Sequence, residues 1–147
     1  MKKTIMLILA GLILLNPLRA ETDDDRPITI EELPSEARNF ISLHFPGERV
    51  ALALMEKDFP DIDYKVVFAT GAKAEFDRQG LWTEISCRYS EMPAGIVPEP
   101  MEAKAAELYP DSRVTEIERG RKGYELKLDN GMELTFGTDF RLLDIDD

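Results

Sequence analysis

The stretch Tyr124-Glu-Leu-Lys-Leu-Asp-Asn-Gly-Met-Glu-Leu-Thr-Phe136 decides how the chain is read. Strand residues alternate faces, so Tyr124, Leu126 and Leu128 share one side and Glu125, Lys127 and Asp129 the other. On the return, Met132, Leu134 and Phe136 are apolar, while Glu133 and Thr135 are polar. A two-residue Asn-Gly loop would pair Asp129 with Met132 and mix the faces. A three-residue loop, Asp129-Asn130-Gly131 with Gly131 left-handed, pairs Leu128 with Met132, Leu126 with Leu134 and Tyr124 with Phe136. Every apolar residue then lands on one face, and a one-residue slip would undo it.

About sixty residues earlier the chain repeats itself as Tyr64-Lys-Val-Val-Phe-Ala-Thr-Gly-Ala-Lys-Ala-Glu-Phe76, with Tyr, Gly and Phe at the same offsets. The same register pairs Phe68 with Ala72, Val66 with Ala74 and Tyr64 with Phe76. Upstream, Leu33-Pro34 matches Val97-Pro98, and Phe45-Pro46 matches Tyr109-Pro110. Each pair brackets an amphipathic helix: Ala37, Phe40, Ile41 and His44-Phe45 recur at helical spacing, with Ser35 available as a cap. Strands are expected at 48–57, 63–69, 72–77 and 81–87, and again at 112–119, 122–129, 132–137 and 140–145. A left-handed Gly80 sets Phe76 opposite Trp82, giving a cross-strand row Tyr64–Phe76–Trp82, with Tyr124–Phe136–Leu142 as its counterpart.

Short turns between consecutive strands make antiparallel meanders. The expected fold is therefore α+β: a tandem repeat of one helix plus a four-stranded antiparallel meander. It forms an eight-stranded antiparallel sheet with both helices on one face. Residues 28–92 form the first repeat and 93–147 the second, joined by the linker Pro93–Pro98.

The N-terminus carries its own signal. Lys2 and Lys3 precede the apolar run Ile5–Leu15, and Ala20 stands before the acidic Glu21-Thr-Asp-Asp-Asp. This is the layout of a secretory signal peptide over 1–20, followed by an acidic leader over 21–27. The apolar run is shorter than the ~20 residues a bilayer span needs, so no stable membrane insertion is expected after cleavage. Cleavage removes three of the 18 basic residues and no acid, leaving 15 against 29, a net charge of −14. Such a chain does not suit nucleic acid, whose binding rests on neutralised phosphates. It suits solubility, a basic protein partner or divalent cations. The single cysteine, Cys87, cannot form an internal disulfide.

Leu33-Pro with Phe45-Pro-Gly, Tyr-x-Val, the glycine hairpin, Phe-Asp-x-x-Gly-x-Trp82, and the second Tyr109-Pro with Gly123-Tyr-Glu-Leu together resemble the PepSY-like periplasmic proteins. That family is described as similar in fold to the β-lactamase inhibitor protein. The resemblance covers roughly 28–145 and rests on the paired repeat rather than on one motif. It implies a periplasmic or secreted, non-enzymatic protein with helices packed on a curved antiparallel sheet. Gly137-Thr-Asp-Phe140 departs from the pattern, because no glycine stands at the left-handed position of the last hairpin.

Little in the chain points to catalysis. His44 is the only histidine and belongs to the helix stripe, and neither a nucleophile–base pair, a zinc ligand set nor a phosphate loop can be assembled. No cofactor is expected other than calcium, for which Asp58, Asp61 and Asp63 crowd one turn. The open sheet face should carry Lys65, Val67, Lys73, Glu75, Glu125, Lys127, Glu133 and Thr135. In strict alternation the fourth strands break this charged pattern, pointing Leu81, Thr83 and Ile85, and likewise Leu143 and Ile145, outward. An apolar stripe on a charged face has the look of a protein-binding surface. A bulge in the fourth strand would instead return these residues to the core. The functional expectation is an exported, non-enzymatic protein that binds another envelope or secreted protein through this face, as an inhibitor or otherwise. The alternative is a calcium- or small-ligand-sensing domain working through its acidic loops.

Overall fold

The computed structural model describes residues 25–58 and 60–147. The expected signal peptide and the first four leader residues lie outside this range. The described strands form one antiparallel sheet in strictly sequential order. They are β1 (Arg26–Pro27), β2 (Val50–Asp58), β3 (Asp61–Phe68), β4 (Lys73–Phe76), β5 (Trp82–Ser86), β6 (Val114–Gly120), β7 (Gly123–Leu128), β8 (Glu133–Gly137) and β9 (Leu142–Asp146). Helix α1 (Ser35–His44) precedes β2, and α2 (Glu99–Leu108) precedes β6.

The sheet has nine strands rather than eight because part of the acidic leader is structured. Arg26 and Pro27 pair with Met55 and Leu54, and Ile28 N donates to Ala53 O at 2.9 Å. A 3₁₀ turn at Ile30–Glu32 fixes the approach: Glu32 accepts from Thr29 N at 2.7 Å and pairs with Arg26 at 3.5 Å. Pro27 suits an edge strand, where a missing N–H costs no ladder bond. Ser35 is not the helix cap. Pro34 occupies that position and Ser35 is the first helical residue, as Pro98 and Glu99 are in α2.

The hairpin registers follow the side-chain pattern. Tyr124 faces Phe136 and Leu126 faces Leu134, while Tyr64 faces Phe76 and Val66 faces Ala74. Gly71, Gly80 and Gly131 have φ near +90°, as three-residue loops require. The last hairpin makes the same turn without glycine. Phe140 takes φ +67°, its N–H donating to Gly137 O at 3.0 Å, where Gly80 N donates to Asp77 O at 2.9 Å. The Phe140 ring lies 5.7 Å from that of Tyr124, a contact that offsets part of the left-handed cost.

One row crosses the whole helix-side face: Ala53–Val66–Ala74–Ile85–Ile117–Leu126–Leu134–Ile145, each residue opposite the next. Most of it is buried in a single core shared with both helices. Phe45, just past the end of α1, stacks on Phe68 with centroids 4.5 Å apart, and Phe40 of α1 meets Phe76 edge-on at 5.7 Å. Met101 and Ala105 are buried from α2. The N-terminus of α1 sits on the β4–β5 turn so closely that a Cβ on Gly80 would lie 2.8 Å from Pro34 Cβ.

Bulges correct the expected direction of the fourth strands. Trp82 faces Phe76, yet Glu84 faces Glu75, so Thr83 is the extra residue. Leu142 faces Phe136 and Asp144 faces Thr135, making Leu143 the extra one. A bulge inverts the alternation beyond it. Ile85 therefore faces the helices and is fully buried, not outward. Ile145 also turns to the helix side, though at the sheet edge it stays 40% exposed. Leu81 and Leu143 remain exposed, so the outward apolar stripe reduces to isolated residues.

Candidate functional site

The face opposite the helices is dominated by charge, and its register places like charges side by side. One row reads Leu54–Lys65–Glu75–Glu84–Glu118–Glu125–Thr135–Asp144. The next reads Leu52–Val67–Lys73–Ser86–Glu116–Lys127–Glu133–Asp146. Val67 is thus on the open face as expected, half-buried between Leu52 and Lys73.

The rows meet where β5 pairs with β6. One carboxylate oxygen from each of Glu84, Glu116 and Glu118 lies within 4.8 Å of the others, the one such acidic trio among the described residues. Glu116 is only 6% exposed, and Lys127 Nζ donates to its Oε1 at 2.9 Å. That bond raises the lysine pKa, against its partial desolvation. Among the described residues, none forms such an ion pair with Glu84. Burial first, then hydrogen bonding and charge from Glu75, with Glu116 and Glu118 adding theirs, push its carboxyl up to about 8. Glu125 is raised by burial and by Glu133 and Glu118. Glu75 has Lys65 at 3.7 Å. The centre of the face is therefore a negative cluster only partly balanced by lysines, in which the Glu84 carboxyl favours its protonated form.

Two arginines stitch the same seam. Arg119 lies over Trp82, and Arg113 donates to the carbonyl oxygens of Cys87, Arg88 and Ser90 at 3.1, 2.6 and 3.0 Å. The latter bonds hold the segment that follows β5 against the start of β6.

The expected acidic turn is built differently. Asp58 faces Asp61 at the β2–β3 tip, and Asp63 stands two residues on, opposite Glu56. All three are exposed, and their oxygens do not gather as the glutamates' do. Burial and neighbouring acids raise Asp63. His44 rests against Phe40 with ring centroids 4.5 Å apart, and Cys87 is buried, its thiol pushed up by that burial. The glutamate trio was missed because acidic pairs are too common in this chain to single out. Its signal was the alternation Glu116-Ile117-Glu118, which becomes legible once β5 and β6 are neighbours.

No curated protein matches the chain. Solved structures do match it, among them the following three. A "putative periplasmic protein" of the DUF2874 family from Bacteroides vulgatus is 45% identical with a TM-score of 0.81, covering 86% of this chain and 99% of its own. A "putative calcium-regulated periplasmic protein" from Bacteroides thetaiotaomicron is 44% identical with a TM-score of 0.82, over 84% and 98%. A "putative periplasmic protein of unknown function" from Bacteroides vulgatus is 35% identical with a TM-score of 0.79, over 84% and 99%. All three agree with the expected periplasmic location, and no helix among the described residues is long and apolar enough to cross a membrane. The family model described as "Putative beta-lactamase-inhibitor-like, PepSY-like" matches residues 62–144, and the chain belongs to that PepSY-like family.

Proposed function

We propose that this is a non-enzymatic periplasmic protein that works by binding at the open face of its sheet, and that the glutamates at the centre of that face take a divalent cation. Calcium is the cation of choice, because the donors are hard carboxylate oxygens on a surface able to keep waters in the shell. The observation that carries the reading is the spacing of Glu84, Glu116 and Glu118 within 4.8 Å. Two oxygens bound at about 2.4 Å from one calcium ion are at most about 4.8 Å apart. The raised Glu84 carboxyl supports it, since a cation would replace the proton. So does the description of the Bacteroides thetaiotaomicron relative as calcium-regulated.

Calorimetry at pH 8 tests the reading. Calcium should bind with a dissociation constant of about 10⁻⁴–10⁻³ M, the range of extracellular modules. Glu84→Gln with Glu118→Gln should abolish the heat while Asp58→Asn with Asp61→Asn should not. Absence of heat from the natural protein at about 10 mM calcium would end the proposal.

A second reading keeps the face and changes the occupant. Glu75, Glu84, Glu118 and Glu125 stand opposite one another on four strands, an arrangement that a lysine- or arginine-bearing segment of another exported protein would also neutralise. A hexalysine peptide that shifts the amide signals of β5 and β6 in chelator, where calcium does not, would favour it. We also read residues 28–92 and 93–147 as two copies of one unit. The matched registers of Tyr64 with Phe76 and Tyr124 with Phe136 support this.

A further inference from the structure

The open face has a second, different feature at the β6–β7 end. Gly120 on β6 stands opposite Gly123 on β7, which stands opposite Gly137 on β8. Of these three, Gly120 is exposed on the face, while Gly123 and Gly137 beside it are buried. The fold explains two of the glycines. Gly123 has φ +138°, and a Cβ there would run into Phe136 O. Gly137 lies beneath Asp139 and Leu143, whose Oδ1 and Cδ1 would be 2.8 and 3.6 Å from its Cβ. Gly120 is not explained. Its φ is outside the left-handed region, and nothing lies within 4 Å of a Cβ built on it. A side chain at Gly120 would stand in a groove of about 640 Å³. Gly120 closes β6 just before the two-residue turn Arg121–Lys122, and one use of glycine in a strand is to let another group approach the backbone closely.

The two bulge residues, Thr83 and Leu143, line the groove and supply methyl groups. Arg121 and Lys122 line it at the turn, and neither takes part in the ion pairs formed among the described residues. Two adjacent free cations beside an apolar wall contrast with the acidity of the rest of the chain. Glu118 and Glu125 pair two residues farther from the turn than Gly120 and Gly123, so an anion is favoured at the turn end over theirs.

We infer that this groove binds a flat apolar ligand carrying one acidic group, the ring system lying over the exposed backbone of Gly120 between Thr83 and Leu143, and the acid meeting Arg121 and Lys122. The volume suits a small-molecule site. The inference does not depend on the cation reading, although Glu84 and Glu118 border both features.

The test uses 1-anilinonaphthalene-8-sulfonate as the probe, with the full mature chain, in chelator and without denaturant. One saturable site per chain with a dissociation constant below about 1 mM is expected. Gly120→Val should weaken binding at least about tenfold with an unchanged circular dichroism spectrum, and Arg121→Glu with Lys122→Glu should do the same. The uncharged N-phenyl-1-naphthylamine should bind at least about tenfold more weakly than the sulfonate. Should Gly120→Val fail to fold, Leu143→Glu on the exposed wall gives the same readout. Binding unchanged by either variant, equal binding of the uncharged probe, or no saturable binding overturns the inference.

Discussion

The guanidinium of Arg119 lies 4.1 Å from the centroid of the Trp82 indole, and its Nε and Nη2 donate to the Trp82 carbonyl oxygen at 3.1 and 2.8 Å. The contact bridges β5 and β6, the strand pairing that joins the two helix-and-meander halves. Arg119→Ala should lower stability by about 1–3 kcal/mol, combining a cation–π contact with charge-assisted hydrogen bonds. Arg119→Lys should recover less than half of this, because an ammonium cannot lie flat on the ring and donate twice from a planar fork. Urea unfolding measures both. A loss below about 0.5 kcal/mol for the alanine variant would show that the seam does not need the contact.

Ile85 and Leu143 separate core from surface in the bulged strands. Ile85→Ala should cost about 2–5 kcal/mol, because the side chain is fully buried between Ala74 and Ile117. Leu143→Asp should change stability by no more than about 0.5 kcal/mol. Similar melting losses for the two variants would mean that the bulge at Leu143 is not where the register puts it.

Gly80 and Phe140 hold the same backbone conformation with opposite consequences. Gly80→Ala would need an alanine at φ +89° with its Cβ 2.8 Å from Pro34 Cβ and 2.9 Å from Ala37 N. A loss of more than about 2 kcal/mol is expected from strain and overpacking together. Phe140→Gly relieves a cost of about 1–2 kcal/mol but gives up the ring on Tyr124, so a net change within about 1 kcal/mol is expected. Thermal unfolding should rank Gly80→Ala well below Phe140→Gly, and the reverse order would refute this account of the turns.

The raised Glu84 carboxyl makes the protein less stable as the solution becomes more alkaline. Its ordinary value is 4.5 and its folded value about 8, so the folded state keeps a proton that the unfolded chain releases. Stability is therefore fullest below about 4.5 as far as this group is concerned, falls as pH rises between the two values, and levels above about 8. Glu56, Asp63 and Glu125 are also raised and act in the same direction. Urea midpoints in chelator at pH 6 and pH 9 should fall for the natural chain. The fall should be clearly smaller for Glu84→Gln. An equal fall in both would assign the slope to other acids.

Calcium should stabilise the protein at pH 8 more than at pH 6, because protons compete for the same oxygens. The rise in melting temperature at saturating calcium measures this. A larger rise at the lower pH would contradict the proposed ligands.

What the sequence determined by itself was local. The alternation from Tyr124 to Phe136 has one register that keeps its apolar residues together, and Gly71, Gly80 and Gly131 sit where loops of three residues need φ above zero. Those are nearest-neighbour constraints between strands a few residues apart, so they can be read off the chain. The direction of Ile85 was decided by tertiary structure. Alternation pointed it outward, and the bulge at Thr83 reversed it because the helices and Ile117 offered a fully buried place. Arg26 and Pro27 joined the sheet because β2 had an unpaired edge within reach. Glu84, Glu116 and Glu118 became a cluster only when β5 docked on β6 across a linker, a pairing whose consequence for three side chains depends on the bulge at Thr83 in β5 and on one in β6, where Val114 faces Leu128 and Glu116 faces Lys127, leaving Thr115 extra.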